Sequence, residues 1–297
     1  MIWTASGVRF PGTGSLNING NVLNNNINNF PLTSTNSTVT VNGKIVTKSA
    51  AQGSIVATDG WETSTESPRP CSIDINALAA TQCTTNAPAS TSDGTTTTYY
   101  PGLHQNLIIH ERKVVFAPGL YCIDGQFNTD TGSNGDDIRG NNVTFLLLNP
   151  KWQSPIIRLS GSNNVVSLQA PNDSTDPLHG ILFIHQSDPN HSPRPLLEAS
   201  GNHNTLRFDG MHYVGGNREL QYTINANGNS HQFDIPGMIA EGTISIKLSD
   251  PPNKSTFQVN TPSMGSICSD DSSGSNSGGS NNGGSSNPGH KSFRLLG

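Results

Sequence analysis

Charge is what this chain has least of. Only 12% of its 297 residues are Asp, Glu, Lys or Arg, about half the share usual in globular domains. Its 16 Lys and Arg form no cluster and the formal net charge is -5, so there is no basic footprint for phosphate and nucleic acid is excluded as a partner. Aromatics are sparse at 6%. No apolar run approaches the roughly 18–20 residues of a membrane span; Phe145-Leu146-Leu147-Leu148 and Ile181-Leu182-Phe183-Ile184 are the longest. The start, Met1-Ile2-Trp3-Thr4, has neither the charged nor the apolar region of a secretory leader. The composition nevertheless reads as extracellular, cell-surface or periplasmic, so the chain is expected to be a form lacking its export segment.

Four cysteines, Cys71, Cys83, Cys122 and Cys268, show no CxxC or zinc-finger spacing. Cys71 and Cys83 flank one short segment and are the candidate disulfide pair, although three connectivities remain open.

What fills the chain instead is Asn, Ser, Thr and 31 Gly. Short polar side chains compete for backbone hydrogen bonds and disfavour helix interiors, which excludes a helical bundle. Recurring apolar strands exclude disorder throughout. Leu16-Asn17-Ile18-Asn19-Gly20-Asn21-Val22 and Val39-Thr40-Val41-Asn42-Gly43-Lys44-Ile45 share one alternating template. A second template starts at Gly161, Gly201 and Gly228. Apolar residues follow at offsets five and seven: Val166 and Leu168, Leu206 and Phe208, Phe233 and Ile235.

Strand, Gly/Asn corner and strand, repeated about every 20–27 residues, predicts a right-handed parallel β-helix solenoid with long side loops. The interval from Gly161 to Gly201 is read as two coils, with Gly180–Ile184 as the strand between. Excursions are expected at about 60–100, with a short helix within 73–80, and at about 126–140. The solenoid with these excursions is assigned to 1–265, a Ser/Gly/Asn-rich flexible linker to 266–290 and a short terminal segment to 291–297.

Candidate chemistry is thin. Asn128-Thr129-Asp130, Gly135-Asp136-Asp137, His179-Gly180 and Ser245-Ile246-Lys247 resemble fragments of the polygalacturonase motifs. Carboxylates on adjacent coils should lie about 20 residues apart, whereas Asp130 and Asp136 share one loop, which argues against that assignment. In the same loop Asp130, Asn134, Asp136 and Asp137 form a candidate calcium site, alternate oxygen ligands with Gly at the turn suiting a hard cation. No other cofactor is implied. Trp61, Tyr99, Tyr100 and Trp152 are the candidate glycan platforms.

Phe116-Ala117-Pro118-Gly119-Leu120-Tyr121-Cys122-Ile123-Asp124-Gly125 resembles the "PG-x-Y" segment of TadG-like, tight-adherence pilus-associated envelope proteins. Gly140–Phe145, Val166–Pro171, His179–Phe183, Leu206–Tyr213 and the closing Phe293-Arg294-Leu295-Leu296 are similar in the same order. The resemblance implies a non-enzymatic, surface-exposed protein tied to pilus assembly, surface structure or adhesion. Its partners would be pilus or envelope proteins or surface glycans, with no catalytic residues. The alternatives are a carbohydrate-active β-helix enzyme, hydrolase or lyase, and a self-assembling surface filament or sheath subunit. A coil-spaced carboxylate cluster would favour the enzyme.

Overall fold

The computed structural model of the protein describes residues 2–4, 7–24, 33–47, 52–63, 73–131, 134–148, 157–159, 161–186, 197–199, 202–216, 220–225, 231–240, 242–249 and 255–260. Nearly all of its strands pair in parallel, each with strands one rung away, and they follow the repeats. Leu16 and Ile18 stack on Val39 and Val41. Val166 stacks on Leu206, Leu168 on Phe208, and Leu206 on Phe233. Alternation dictates the rest: every second side chain enters the core and its neighbours face out.

Two ladders carry the molecule. In spatial order the first runs Thr97–Tyr99, Lys113–Phe116, Asp137–Gly140, Val165–Gln169, Thr205–Asp209, His231–Ala240, Ser255–Asn260, Gly7–Asn19, Thr33–Asn42 and Gln52–Ala57. The second runs Gly102–His104, Gly119–Ile123, Val143–Leu147, Ile181–Gln186, Met211–Gly215, His231–Ala240, Ile2–Thr4, Val22–Asn24, Ile45–Thr47 and Trp61–Thr63. Both belong to one 22-stranded sheet, and Leu107–Ile109, Phe127–Thr131, Ile157–Leu159 and Leu197–Ala199 form a separate four-stranded sheet.

This corrects the expectation of a right-handed parallel β-helix solenoid with long side loops. The fold is all-β, with one large mixed sheet and rung-like long-range contacts. Three findings overturn the simpler picture. Long strands such as Gly7–Asn19 and His231–Ala240 each pair with strands of more than one row, so the rows fuse instead of standing as separate sheets. Thr91–Ser92 pairs with Thr97–Tyr99 antiparallel. Above all, the rungs do not stack in chain order: the first strands lie beyond the last, Ile2–Thr4 on Met238–Ala240 and Leu16–Ile18 on Phe257–Val259. The expected two coils between Gly161 and Gly201 are also corrected. Val165–Gln169 pairs directly with Thr205–Asp209, and Ile181–Gln186 belongs to the other ladder of that same rung.

The core is a file of inward rings. Phe145 packs against Phe116, Tyr121, Phe127 and Phe183 at centroid distances of 5.1–5.6 Å. Truncating a ring so enclosed costs about 3–5 kcal/mol. Corners use residues that tolerate left-handed backbone: Asn142, Asn163 and His203 sit at φ 56°, 61° and 53°.

Because the first rungs lie beyond the last, Thr63 and Thr97 stand at opposite ends of the ladders. Nine strand spacings separate those ends, roughly 43 Å. The chain between them carries the helix Ile75–Gln82, as expected near 73–80. Asp74 caps it, its carboxylate accepting from the Ala77 N–H at 2.9 Å. Eight residues are too few to hold a helix in water. This one is held by burying Ile75 and Leu78 in a cluster with Leu146, Ile184, Met211 and Tyr213 on the outside of the second ladder. The Ile73 N–H donates to the Tyr213 hydroxyl at 3.1 Å. A Cβ on Gly215 would come within 3.0 Å of Ile75 Cδ1, so glycine permits the close approach. Cys83 then bonds Cys122, Cα–Cα 5.7 Å. The candidate pair Cys71–Cys83 is thereby corrected: Cys83's partner is the next element in space, not the nearest cysteine in sequence. Cys71 and Cys268 lie outside the described residues, as do the segments assigned to 266–290 and 291–297. Among the described residues no helix is long and apolar enough to cross a membrane.

Candidate functional site

The outward face of the first ladder gathers the chain's scarce charges. One row reads, rung by rung, Val115, Arg139, Ser167, Arg207, Asp234, Gln258, Asn17, Thr40, Val56. Two residues along each strand, in the same outward sense, lie Gln169 and Asp209, again in register. Asp209 and Asp234 therefore sit on adjacent rungs, diagonal to one another, with Cα positions about 8 Å apart from the strand rise and spacing. They are 25 residues apart in sequence, the coil spacing that paired carboxylates require.

Their surroundings differ. Asp209 is exposed and accepts from Gln169 Nε2 at 3.1 Å. Asp234 is 9% exposed and accepts from Gln232 Nε2 at 3.3 Å, while its Oδ1 is buried and has no hydrogen-bond partner among the described residues. A buried oxygen normally finds a partner, which makes this orphan carboxylate oxygen at a polar face a candidate contact for a ligand. Arg207, whose Cα is the register partner of Asp234, is exposed, and its guanidinium makes no hydrogen bond or ion pair with a described residue. Arg139, two rungs away, is held by Asp137 at 2.7 Å.

A second polar feature is wholly internal. His185 Nδ1 and His212 Nε2 lie 2.7 Å apart, and His212 Nδ1 lies 2.7 Å from the Tyr222 hydroxyl. Burial holds His185 down at about 3, and burial together with His185 holds His212 well below the usual histidine range. Burial pushes the Tyr222 phenol well up. Both imidazoles are thus neutral. Each has one N–H, and the two bonds are satisfied by passing protons in one direction along the chain or in the other.

The sequence-derived candidates are dispersed: Asp137 lies on this face beside Arg139, and the others do not gather there. In the proposed calcium loop, Asn134 Oδ1 accepts from the Ser162 N–H at 2.7 Å and its carbonyl accepts from Arg112. Asp136 is buried with Arg112 Nε at 3.5 Å, and its N–H donates to Asn164 Oδ1. Asp137 pairs with Arg139. Asp130 lies in the strand Phe127–Thr131. Among the described residues no group of three or more His, Cys, Asp or Glu side chains could hold a metal. Of the glycan platforms, Tyr99 donates to Glu111 and Tyr100 meets Thr91 at one end of the ladders, while Trp61 lies at the other. Trp152 lies outside the described residues.

These features correct the expectation of a non-enzymatic pilus or surface protein. A purely structural stack gains nothing from a buried ion-paired Asp136, an unpartnered Asp234 oxygen or a buried histidine pair among packed rings. Polar groups so placed are costly and typify catalytic cores. Compared with family models, curated proteins and solved structures, the chain matches none, so no TadG-like or other family is identified.

Proposed function

We propose that the chain is a carbohydrate-active enzyme, a hydrolase that cuts a polysaccharide bearing acidic units, working outside the cytoplasm. The observation that carries this reading is the pair Asp209 and Asp234 on adjacent rungs, with the free Arg207 guanidinium beside them. Inverting glycoside hydrolysis needs two carboxyl groups about 6.5–9.5 Å apart, leaving room for a water. Asp209, exposed, is placed to take a proton from water as it attacks the anomeric carbon. Asp234, shielded, is placed to give its proton to the departing glycosidic oxygen. Water is consumed, one C–O bond breaks as another forms, and a proton exchange with solvent restores both groups. Arg207 supplies a fixed cation for a carboxylate on the sugar. The Cys83–Cys122 disulfide supports an oxidising, exported setting.

The test is to incubate purified protein with a panel of polyuronates and assay reducing ends and unsaturated ends. Reducing ends without unsaturation are expected, lost in both Asp209→Asn and Asp234→Asn proteins. No release across the panel, or full activity in either variant, contradicts the reading. Unsaturated ends would replace hydrolysis with elimination.

A further inference from the structure

The outward face does not stop at the carboxylates. Beyond Asp234 the same row continues through Gln258, Asn17 and Thr40. Beside it runs a second row of amides, Asn260, Asn19 and Asn42. Asn19 Nδ2 donates to Asn260 Oδ1 at 3.0 Å, and Asn42 Nδ2 donates to Asn19 Oδ1 at 2.9 Å. None of these six side chains is charged, and two of the three rungs come from the start of the chain. They lie here because the first strands stack beyond the last.

We infer that these rungs form the neutral half of a binding track for a long glycan laid across the strands. The glycan is charged where it crosses the rungs of Arg139, Arg207 and Asp234, and uncharged where it crosses the rungs of Gln258, Asn17 and Thr40. This rests on the hydrolase reading for the class of ligand. Continuity and chemistry support the track. The rows are in register with the carboxylates, and their spacing of about 4.8 Å approaches the advance of one pyranose along an extended glycan. Amides and hydroxyls both donate to and accept from sugar hydroxyls, and the Asn260–Asn19–Asn42 bonds fix the amides before any ligand arrives, which lowers the ordering cost of binding. An uncharged row offers a second acidic unit no cation, so it selects sugars whose carboxyl groups are masked or absent.

The probe is polygalacturonate, partly methyl-esterified or fully de-esterified, bound to the Asp234→Asn protein so that cleavage does not interfere. The partly esterified polymer is expected to bind about tenfold more tightly. The Asn17→Ala/Thr40→Ala pair, made in the Asp234→Asn protein, should erase that preference. A second measurement does not depend on that pair folding. A thiol at Asn17→Cys should be shielded from maleimide by the partly esterified polymer. Equal or tighter binding of the de-esterified polymer, or a thiol labelled at the same rate with and without polymer, overturns the track. Asp209→Asn and Asp234→Asn could still abolish cleavage in that case, leaving the hydrolase reading in place; a protein that neither binds nor cuts either polymer loses both.

Discussion

The rungs of residues 113–234 and the rungs of 255–260, 7–19 and 33–42 are alike inside and unlike outside. Inward, both present Val, Leu, Ile and Phe in register. Leu206 meets Phe233, Phe233 meets Phe257, and Leu16 meets both Phe257 and Val39. Outward, the first group carries Asp137, Arg139, Arg207, Asp209 and Asp234, and the second carries mostly Gln, Asn, Ser and Thr, with Arg9 its one charge and no carboxylate. The buried His185–His212–Tyr222 chain and the Cys83–Cys122 bond also belong to the first group. Packing is thus shared, while chemistry is confined to one part of the stack. Outward positions cost the fold little whatever they hold, so charge there is free to answer to a ligand.

The largest expected effect comes from exchanging neighbours across that boundary. Asp234→Asn should lower kcat on a polyuronate about 10³-fold, in the range typical of general acid–base groups. Gln258→Ala, one rung on, should leave kcat within a few-fold. Comparable losses from both would dissolve the distinction between the two regions.

Next in size is the covalent staple of the charged part. The disulfide closes a loop with a sequence separation of 39. Replacing Cys83 and Cys122 with Ser should cost about 3–4 kcal/mol of unfolding free energy, measured by denaturant titration. A loss below about 1 kcal/mol would mean that the return segment with its helix holds without the bond.

The histidines give a pH test of the same boundary. An unfolded histidine binds a proton near pH 6.5, but His185 in the fold does so only near 3. Between those values the unfolded state holds more protons. Stability is therefore complete above about pH 7 and falls as pH drops, by about 1.4 kcal/mol per pH unit for each such histidine. Hydrogen exchange from pH 7 to 5 should show protection lost first in strands 181–186, 211–215 and 220–225, and later in 7–19 and 33–42. Uniform loss would contradict the assignment. The smallest effect is expected from Gln258→Asp, which puts a carboxylate on a neutral rung; stability should change by no more than about 0.5 kcal/mol, seen in the same titration.

Much of the pairing was legible in the sequence. The apolar offsets after Gly161, Gly201 and Gly228 name inward residues that do stack, and the Gly/Asn corners fall where left-handed backbone occurs. The outward offsets of the same templates hold Ser167, Arg207 and Asp234, then Gln169 and Asp209. Those offsets carry the paired carboxylates, although the acidic loop at 130–137 is denser in Asp. Stack order was not legible. A rung's sequence states which face is apolar but not which other rung lies upon it, since any inward Val or Ile fits any other. For the same reason Cys83 could not be matched to Cys122 from spacing: the distance that matters is one between rungs.

Because the first rungs lie on the last, one outward face runs unbroken from Arg139 to Thr40. Cysteines placed at Asn19 and Asn260, whose side chains bond at 3.0 Å, test this directly. Adjacent parallel strands bring Cα atoms within disulfide reach. Mild oxidation of the folded Asn19→Cys/Asn260→Cys protein, followed by peptide mapping, should yield a 19–260 cross-link within a single chain. A protein that folds with both thiols free, or links position 260 elsewhere, would contradict the stacking and the continuous face built upon it.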